Sequence, residues 1–200
     1  MIIYIEGVDG SGKSTLKGRL LKRLEQIKDL HNIKIYPEGE TLIPTHPSKA
    51  NRLSREDLFK QLSKMANDPN TVYICDRGPL SDIIYRAFDD YKPLVSLEEL
   101  LWFWGTQGIM IVTVHCVNDR SEELMKERGE ENPVAIQYHK ALKYMYNQIM
   151  PLFGAINYDF SVESDEKLSS INTILARLWA GRNKFNQLQE AYLKTIKNVN

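Results

Sequence analysis

The run Gly7-Val8-Asp9-Gly10-Ser11-Gly12-Lys13-Ser14-Thr15 carries glycine, lysine and a hydroxyl residue at the spacing GxxxxGK[ST]. Glycines let the backbone turn so that successive N–H groups point into one hollow. With the N-terminus of a following helix, those groups cradle a polyphosphate. The Lys13 ammonium then neutralises the outer phosphates, and the Ser14 hydroxyl is a ligand for Mg²⁺. Gly7, Asp9, Gly10, Ser11, Gly12, Lys13, Ser14 and Thr15 are therefore expected around a bound nucleoside triphosphate. A guanine-selective site needs an NKxD-type base-reading stretch, and none stands at a strand end, so the expected cofactors are ATP and Mg²⁺.

A second candidate is Cys75-Asp76-Arg77-Gly78-Pro79, directly after an apolar run of strand type. The ends of parallel strands open onto the ligand crevice. There Asp76 suits a catalytic role, holding Mg²⁺ or orienting an attacking hydroxyl, and Arg77 can grip a phosphate through paired hydrogen bonds. A third is the charged segment 118–133. Phosphoryl transfer builds charge on the transferred group and is spoiled by water. A basic lid is therefore expected here, with Arg120 and Arg128 as its catalytic arginines and Lys126 behind them. The same segment also reads as a solvated helix laced by neighbouring Glu, Arg and Lys side chains.

Residues 5–15 resemble the opening of thymidylate kinases, which carry an acidic residue inside the loop where Asp9 stands. Asp76-Arg77 followed by Ser81 and Tyr85 resembles the DR…S…Y stretch of the same family, with Ser81 and Tyr85 one helical turn apart. The resemblance implies that Arg77 holds the acceptor's phosphate, that Asp9 approaches the sugar and the metal, that Tyr85 helps line the nucleoside pocket, and that Ser81 belongs to the substrate-binding set. It also implies a homodimer. Two departures stand out. Gly78 and Arg86 occupy positions where the family usually has an aromatic or His residue and a Gln. After the second strand the chain reads Tyr36-Pro37-Glu38-Gly39, without the family's arginine. Arg52, Arg55 or Lys49 is expected to supply that charge, Arg52 first.

All these residues need a scaffold that brings strand ends together. Runs rich in β-branched residues occur at 2–5, 33–36, 71–75 and 109–117, with a weaker one at 155–158. The first, third and fourth are nearly continuous rather than alternating, the pattern of strands covered on both faces. Between the runs four stripes fall at helical spacing: Leu16, Leu20, Leu24 and Ile27; Leu58, Leu62 and Met65; Ala141, Leu142, Met145 and Ile149; and Leu168, Ile171, Ile174, Leu175 and Leu178. Strand and helix alternate, which predicts an α/β chain with a five-stranded parallel sheet flanked by helices, the P-loop NTP hydrolase fold. One kinase domain over 1–200 is expected, with a small helical lid at about 118–133.

The segment 36–51, with Pro37, Pro44 and Pro47, predicts a functional loop near the site. Phe185, Leu188, Tyr192 and Ile196 predict a terminal helix at about 184–197, packed on its own domain or on a second subunit. Tyr138, Tyr144 and Tyr146 are read as core residues, with the acceptor pocket as the alternative.

Composition narrows the function classes. Twenty-six Lys and Arg balance twenty-six Asp and Glu, which disfavours nucleic acid and anionic membrane as partners and favours a small-molecule nucleotide. Cys75 and Cys116 each end an apolar stretch without metal-ligand spacing, as buried thiols of a reducing compartment do. The N-terminus lacks the basic flank and long apolar run of a signal peptide, and a cytoplasmic location is expected. The four histidines form no ligand set.

The expected activity is phosphoryl transfer from ATP to a deoxynucleoside monophosphate of the thymidylate type. A phosphate acceptor needs no general base. A hydroxyl acceptor on a nucleoside or nucleic acid would need one, and Asp9, Asp76 or Glu6 would serve. A nucleotide-binding switch or ATPase with no small acceptor is the alternative from another class.

Overall fold

The computed structural model describes residues 1–39, 54–88, 92–129 and 132–199. Among these, five strands form: β1 Ile2–Glu6, β2 Lys34–Gly39, β3 Thr71–Asp76, β4 Ile111–Val117 and β5 Ile156–Asp159. The helices are α1 Lys13–His31, α2 Arg55–Ala66, α3 Pro79–Arg86, α4 Leu97–Gln107, α5 Ser121–Glu127, α6 Pro133–Ile149 and α7 Ser164–Val199. The strands lie in the order β2-β3-β1-β4-β5, every pairing parallel. β1 is therefore central, with Ile5 opposite Asp76 on β3 and Glu6 opposite His115 on β4. Strand order reverses at β1, which opens a crevice beyond the strand ends, where Gly7, Arg77 and Asn118 leave the sheet together.

Continuous apolar strands bury both faces. Ile2 and Tyr4 enter one core with Leu58, Leu62, Leu80, Ile84, Phe103 and Leu142. Ile3 and Ile5 enter the other with Leu16, Leu20, Leu24, Ile174 and Leu178. Because Leu16, Leu20 and Leu24 are fully buried, α1 is locked to the sheet, and truncating any one to Ala costs about 2–5 kcal/mol. Both cysteines are free and buried, and burial pushes each thiol up to about 12. Among the described residues no helix is long and apolar enough to cross a membrane.

Several expectations are corrected. Tyr36–Gly39 belongs to β2 rather than to the loop predicted over 36–51. β2 is an edge strand whose register shifts between Tyr36 and Gly39, and an irregular edge tolerates Pro37. Residues 40–53 of that loop lie outside the described residues. β4 begins at Ile111, because Gly108–Met110 forms a 3₁₀ turn.

The terminal helix is not a separate element at 184–197, because α7 runs unbroken from Ser164 to Val199. Gly181 does not break it: a Cβ there would lie 2.1 Å from the Ile109 carbonyl oxygen, so the glycine lets the helix pass close over the start of β4. Of the tail stripe Phe185 packs on the core, whereas Leu188 and Tyr192 stay 57% and 66% exposed. Leu168 is likewise 52% exposed, outside the stripe that Ile171, Ile174, Leu175 and Leu178 bury. Of the three tyrosines on α6, Tyr146 is fully buried, Tyr138 half-buried and Tyr144 exposed.

Candidate active site

The phosphate loop bridges β1 and α1, and its shape comes from left-handed backbone at Gly7, Gly10 and Gly12. A Cβ on Gly7 would meet the Cys116 carbonyl at 2.6 Å, and one on Gly12 would meet the Phe160 ring at 2.6 Å. Glycine is required at both. Gly12 caps α1 without a side-chain hydrogen bond, so the first N–H groups of the helix are left for an anion. The Asn118 amide donates to the Gly10 carbonyl at 2.9 Å and pins the loop to the end of β4.

The loop forms one wall of a hollow of about 680 Å³ lined by Asp9, Gly10, Gly12, Lys13, Ser14, Thr15, Lys17, Asp76, Arg77, Leu124, Arg128 and Phe160. Lys13 is buried, and its Nζ donates to the carbonyls of Gly7 at 2.9 Å and Val8 at 2.7 Å. Burial and then the repulsion of Arg77 lower its pKa. The loop's own carbonyls thus hold the ammonium at the hollow's edge, where a phosphate oxygen can replace them. Ser11 is fully buried, with no hydrogen-bond partner for its hydroxyl among the described residues.

Arg77 is the second cation of the wall. Its φ of 70° is left-handed, which costs a non-glycine residue about 1–2 kcal/mol. Its N–H continues the ladder to the Ile5 carbonyl at 2.9 Å. The guanidinium donates to the Tyr85 hydroxyl at 2.7 Å, lies 4.7 Å from the centre of the Tyr85 ring, and pairs with Asp9. Burial opposes its charge but is outweighed by the oxygens of Tyr146, Tyr85 and Asp9, so its pKa rises. Burial likewise pushes the Tyr85 phenol up to about 12. Tyr85 also meets Tyr138 edge to face, and Tyr138 meets Phe88 in the same way.

Glu6 is not part of the wall. It is 1% exposed, accepts from Ser81 Oγ at 2.5 Å and from the Tyr146 hydroxyl at 3.3 Å, and takes the Gly78 N–H as well. Burial raises its pKa against these donors. Ser81 is fully buried with its hydroxyl on Glu6 and Tyr146, and it is not among the residues that line the hollow. Gly78 also has a local reason: a Cβ there would lie 2.6 Å from the buried Tyr4 ring, which fills the space that a side chain at this position would need. Arg86 is buried and paired with Asp82 inside α3.

The segment 118–129 is docked at the hollow, which Leu124 and Arg128 line. Ser121 is fully buried with its hydroxyl 3.1 Å from His139 Nε2, and Lys140 and Lys143 reach Glu122 and Asp119 at 3.5 and 3.8 Å. Arg128 lines the hollow. Arg120 does not: it is exposed and paired with Glu123 and Glu127. Arg55 is paired with Glu99, away from the wall. Arg52 and Lys49 lie outside the described residues. Lys17, Leu124, Phe160 and Asn118 were not singled out from the sequence as site residues. Lys17 stands at i+4 from Lys13 on α1, and Phe160 and Asn118 directly follow strands, and these positions are the signals that point to them.

For Mg²⁺ the wall offers the Ser14 hydroxyl and the Asp76 carboxylate, beside the Thr15 hydroxyl and the Arg77-paired carboxylate of Asp9. No cluster of three or more His, Cys, Asp or Glu stands ready to hold a metal among the described residues. Two protein oxygens fit an ion that brings water and shares nucleotide phosphates.

No family model matches the chain. It is 25% identical to a thymidylate kinase of Exiguobacterium sp. (strain ATCC BAA-1283 / AT1b), over 65% of this chain and 70% of that protein. The YorR protein of Bacillus subtilis, solved in complex with phosphorylated GDP, superposes with a TM-score of 0.58 at 23% identity, over 89% of this chain and 96% of that one. A thymidylate kinase of Ehrlichia chaffeensis aligns at 17% identity with a TM-score of 0.49, over 89% of this chain and 98% of that one. The superposition shows a shared fold, the P-loop NTP hydrolase fold, and the similarity to the thymidylate kinase runs over 152 residues, beyond the two motifs.

Proposed function

We propose that the chain is a nucleotide kinase that transfers the γ-phosphoryl group of ATP to a deoxynucleoside monophosphate of the thymidylate type. The observation that carries this reading is Arg77, held in left-handed backbone at the wall of the hollow that Lys13 and Arg128 also line. Several cations lining one hollow suit two phosphate groups brought end to end. The similarity to a thymidylate kinase supports the substrate class.

The phosphate loop and Lys13 hold the donor, Arg77 holds the acceptor's phosphate, and Arg128 stabilises charge on the transferred group. When bound, Mg²⁺ held by Ser14 and Asp76 neutralises phosphate charge. Asp9 orients Arg77, and Tyr85 supports it from behind. A phosphate acceptor is already an anion at neutral pH, and alignment and charge neutralisation suffice.

The carboxylates argue against a hydroxyl acceptor. Glu6 is enclosed by Ser81, Tyr146 and Gly78, and Asp9 is paired with Arg77, which leaves Asp76, the residue assigned to the metal. The test is ADP release from ATP·Mg²⁺ with deoxynucleoside monophosphates, deoxynucleosides, single-stranded DNA or no acceptor. Stimulation by dTMP or a related monophosphate is expected. Stimulation only by a nucleoside or DNA would move the acceptor to a hydroxyl, and unstimulated turnover would replace the kinase by an ATPase.

A further inference from the structure

A second concave surface lies between α1 and α7, in the helical layer that covers one face of the sheet. It is a groove of about 420 Å³ lined by Arg19, Lys22, Arg23 and Gln26 of α1 and by Ser164, Lys167, Leu168, Ile171 and Asn172 of α7. None of these residues lines the phosphate hollow. The lining holds four cations and no carboxylate, in a chain with equal numbers of acids and bases.

Three of the four cations are held by neutral partners. Arg19 donates to the hydroxyl of the buried Tyr158 at 2.6 Å, Arg23 donates to Gln26 Oε1 at 3.1 Å, and Lys167 Nζ lies 5.0 Å from the centre of the Phe160 ring. Elsewhere on the surface Lys28, Arg55, Arg120, Lys140 and Lys143 each lie against a carboxylate. Among the described residues no carboxylate comes within 4.0 Å of the four groove cations, and Asp165 and Glu166 at the start of α7 are not part of the lining. Cations oriented by neutral groups keep their full charge for an anion that can take several hydrogen bonds at once.

The floor is different in kind. Ile171 is buried, and Leu168 stands 52% exposed within the groove, a large apolar side chain left uncovered. A single strand of nucleic acid seeks aromatic platforms for its bases, and the groove lining has none. Four cations around an aliphatic floor of this volume instead match a compact phosphate ester with an apolar part.

We propose that the α1–α7 groove is a second ligand site. It binds a phosphorylated small molecule of nucleotide size, with its phosphates on Arg19, Lys22, Arg23 and Lys167 and its apolar part on Leu168 and Ile171. The groove is separate from the phosphate hollow but shares its supports. Lys167 rests on Phe160, whose ring fills the space beside Gly12, and Arg19, Lys22 and Arg23 stand on the helix that starts at Lys13.

The test is calorimetric titration of the full chain with ATP and, separately, with inorganic tripolyphosphate, both without Mg²⁺. ATP is expected to fill two sites per chain in the wild type. In K22E/R23E the groove site is expected to weaken at least about tenfold, as loss of charge-assisted hydrogen bonds requires, with the hollow site unchanged. K60E/K64E makes the same charge change on α2 and is expected to keep both sites. Leu168→Ser is expected to weaken groove binding of ATP about tenfold and to leave tripolyphosphate unaffected. One ATP site in the wild type, or two sites untouched by K22E/R23E, would overturn the proposal. Equal affinity for tripolyphosphate and ATP, indifferent to Leu168→Ser, would remove the apolar contact, and displacement of groove-bound ATP by a tighter-binding oligonucleotide would overturn the small-molecule assignment. Because the readout is binding, a failed kinase assay and an absent groove site are separate results.

Discussion

Replacing Arg77 separates its chemistry from its backbone. The guanidinium is 17% exposed and already ordered by Asp9 and Tyr85, so little side-chain freedom remains to be lost when a phosphate arrives. Two charge-assisted hydrogen bonds to a phosphate are worth about 3 kcal/mol, or about 10²-fold in acceptor binding. Arg77→Ala should therefore raise the KM for dTMP about 10²-fold, with a much smaller change in kcat, because the contact is made in ground and transition states alike. Arg77→Gly should lose the same binding while relieving the left-handed strain, making it about 1 kcal/mol more stable than Arg77→Ala. The assay is coupled ADP release with dTMP varied at saturating ATP, paired with thermal unfolding of both variants. An unchanged KM in both would refute the acceptor role. A KM change confined to Arg77→Ala would show that an altered loop conformation, and not the lost guanidinium, was being measured.

Arg128→Ala should lower kcat by about 10²-fold, whereas Arg120→Ala, which removes an exposed ion pair, should change it by less than about twofold in the same assay. Equal losses would return Arg120 to the site. His115 is buried, and burial lowers its pKa from 6.5 to about 4. The folded chain therefore binds fewer protons than the unfolded chain in that interval, and stability falls as pH drops from 6.5 toward 4. Relative to His115→Gln the wild type should lose up to about 3 kcal/mol across this window, and parallel melting profiles would reject the cause. Gly181→Ala should cost at least about 2 kcal/mol, because the new Cβ overlaps the Ile109 carbonyl. Gly18→Ala, with nothing within 4 Å of the new Cβ on α1, should instead stabilise by about 1 kcal/mol in thermal unfolding.

Much of the scaffold was legible because local patterns and tertiary packing agree. Continuous apolar strands announced a sheet buried on both faces, and Leu16, Leu20 and Leu24 announced the helix that covers one of them. Element ends were less legible. Pro37 lies within a strand because an irregular edge does not need every N–H, and Gly181 lies within a helix because a neighbouring carbonyl occupies the place of its Cβ. Neither neighbour is visible from the residue's own stretch of chain.

At the site the same division holds. The phosphate loop is encoded by contiguous residues, since glycine conformation, the lysine and the helix start all lie within one short run, and its position and chemical type followed from sequence alone. The partners of those residues come from distant chain. Asp9 meets Arg77, Glu6 is enclosed by Ser81 and Tyr146, Phe160 packs on Gly12, and Arg120 turns to Glu123 while Arg128 faces the hollow. Spacing along a chain specifies which residue types are present and which face of an element they share. Which carboxylate is paired, which is buried and which arginine lines the hollow depends on where separate elements meet, and only tertiary packing decides that.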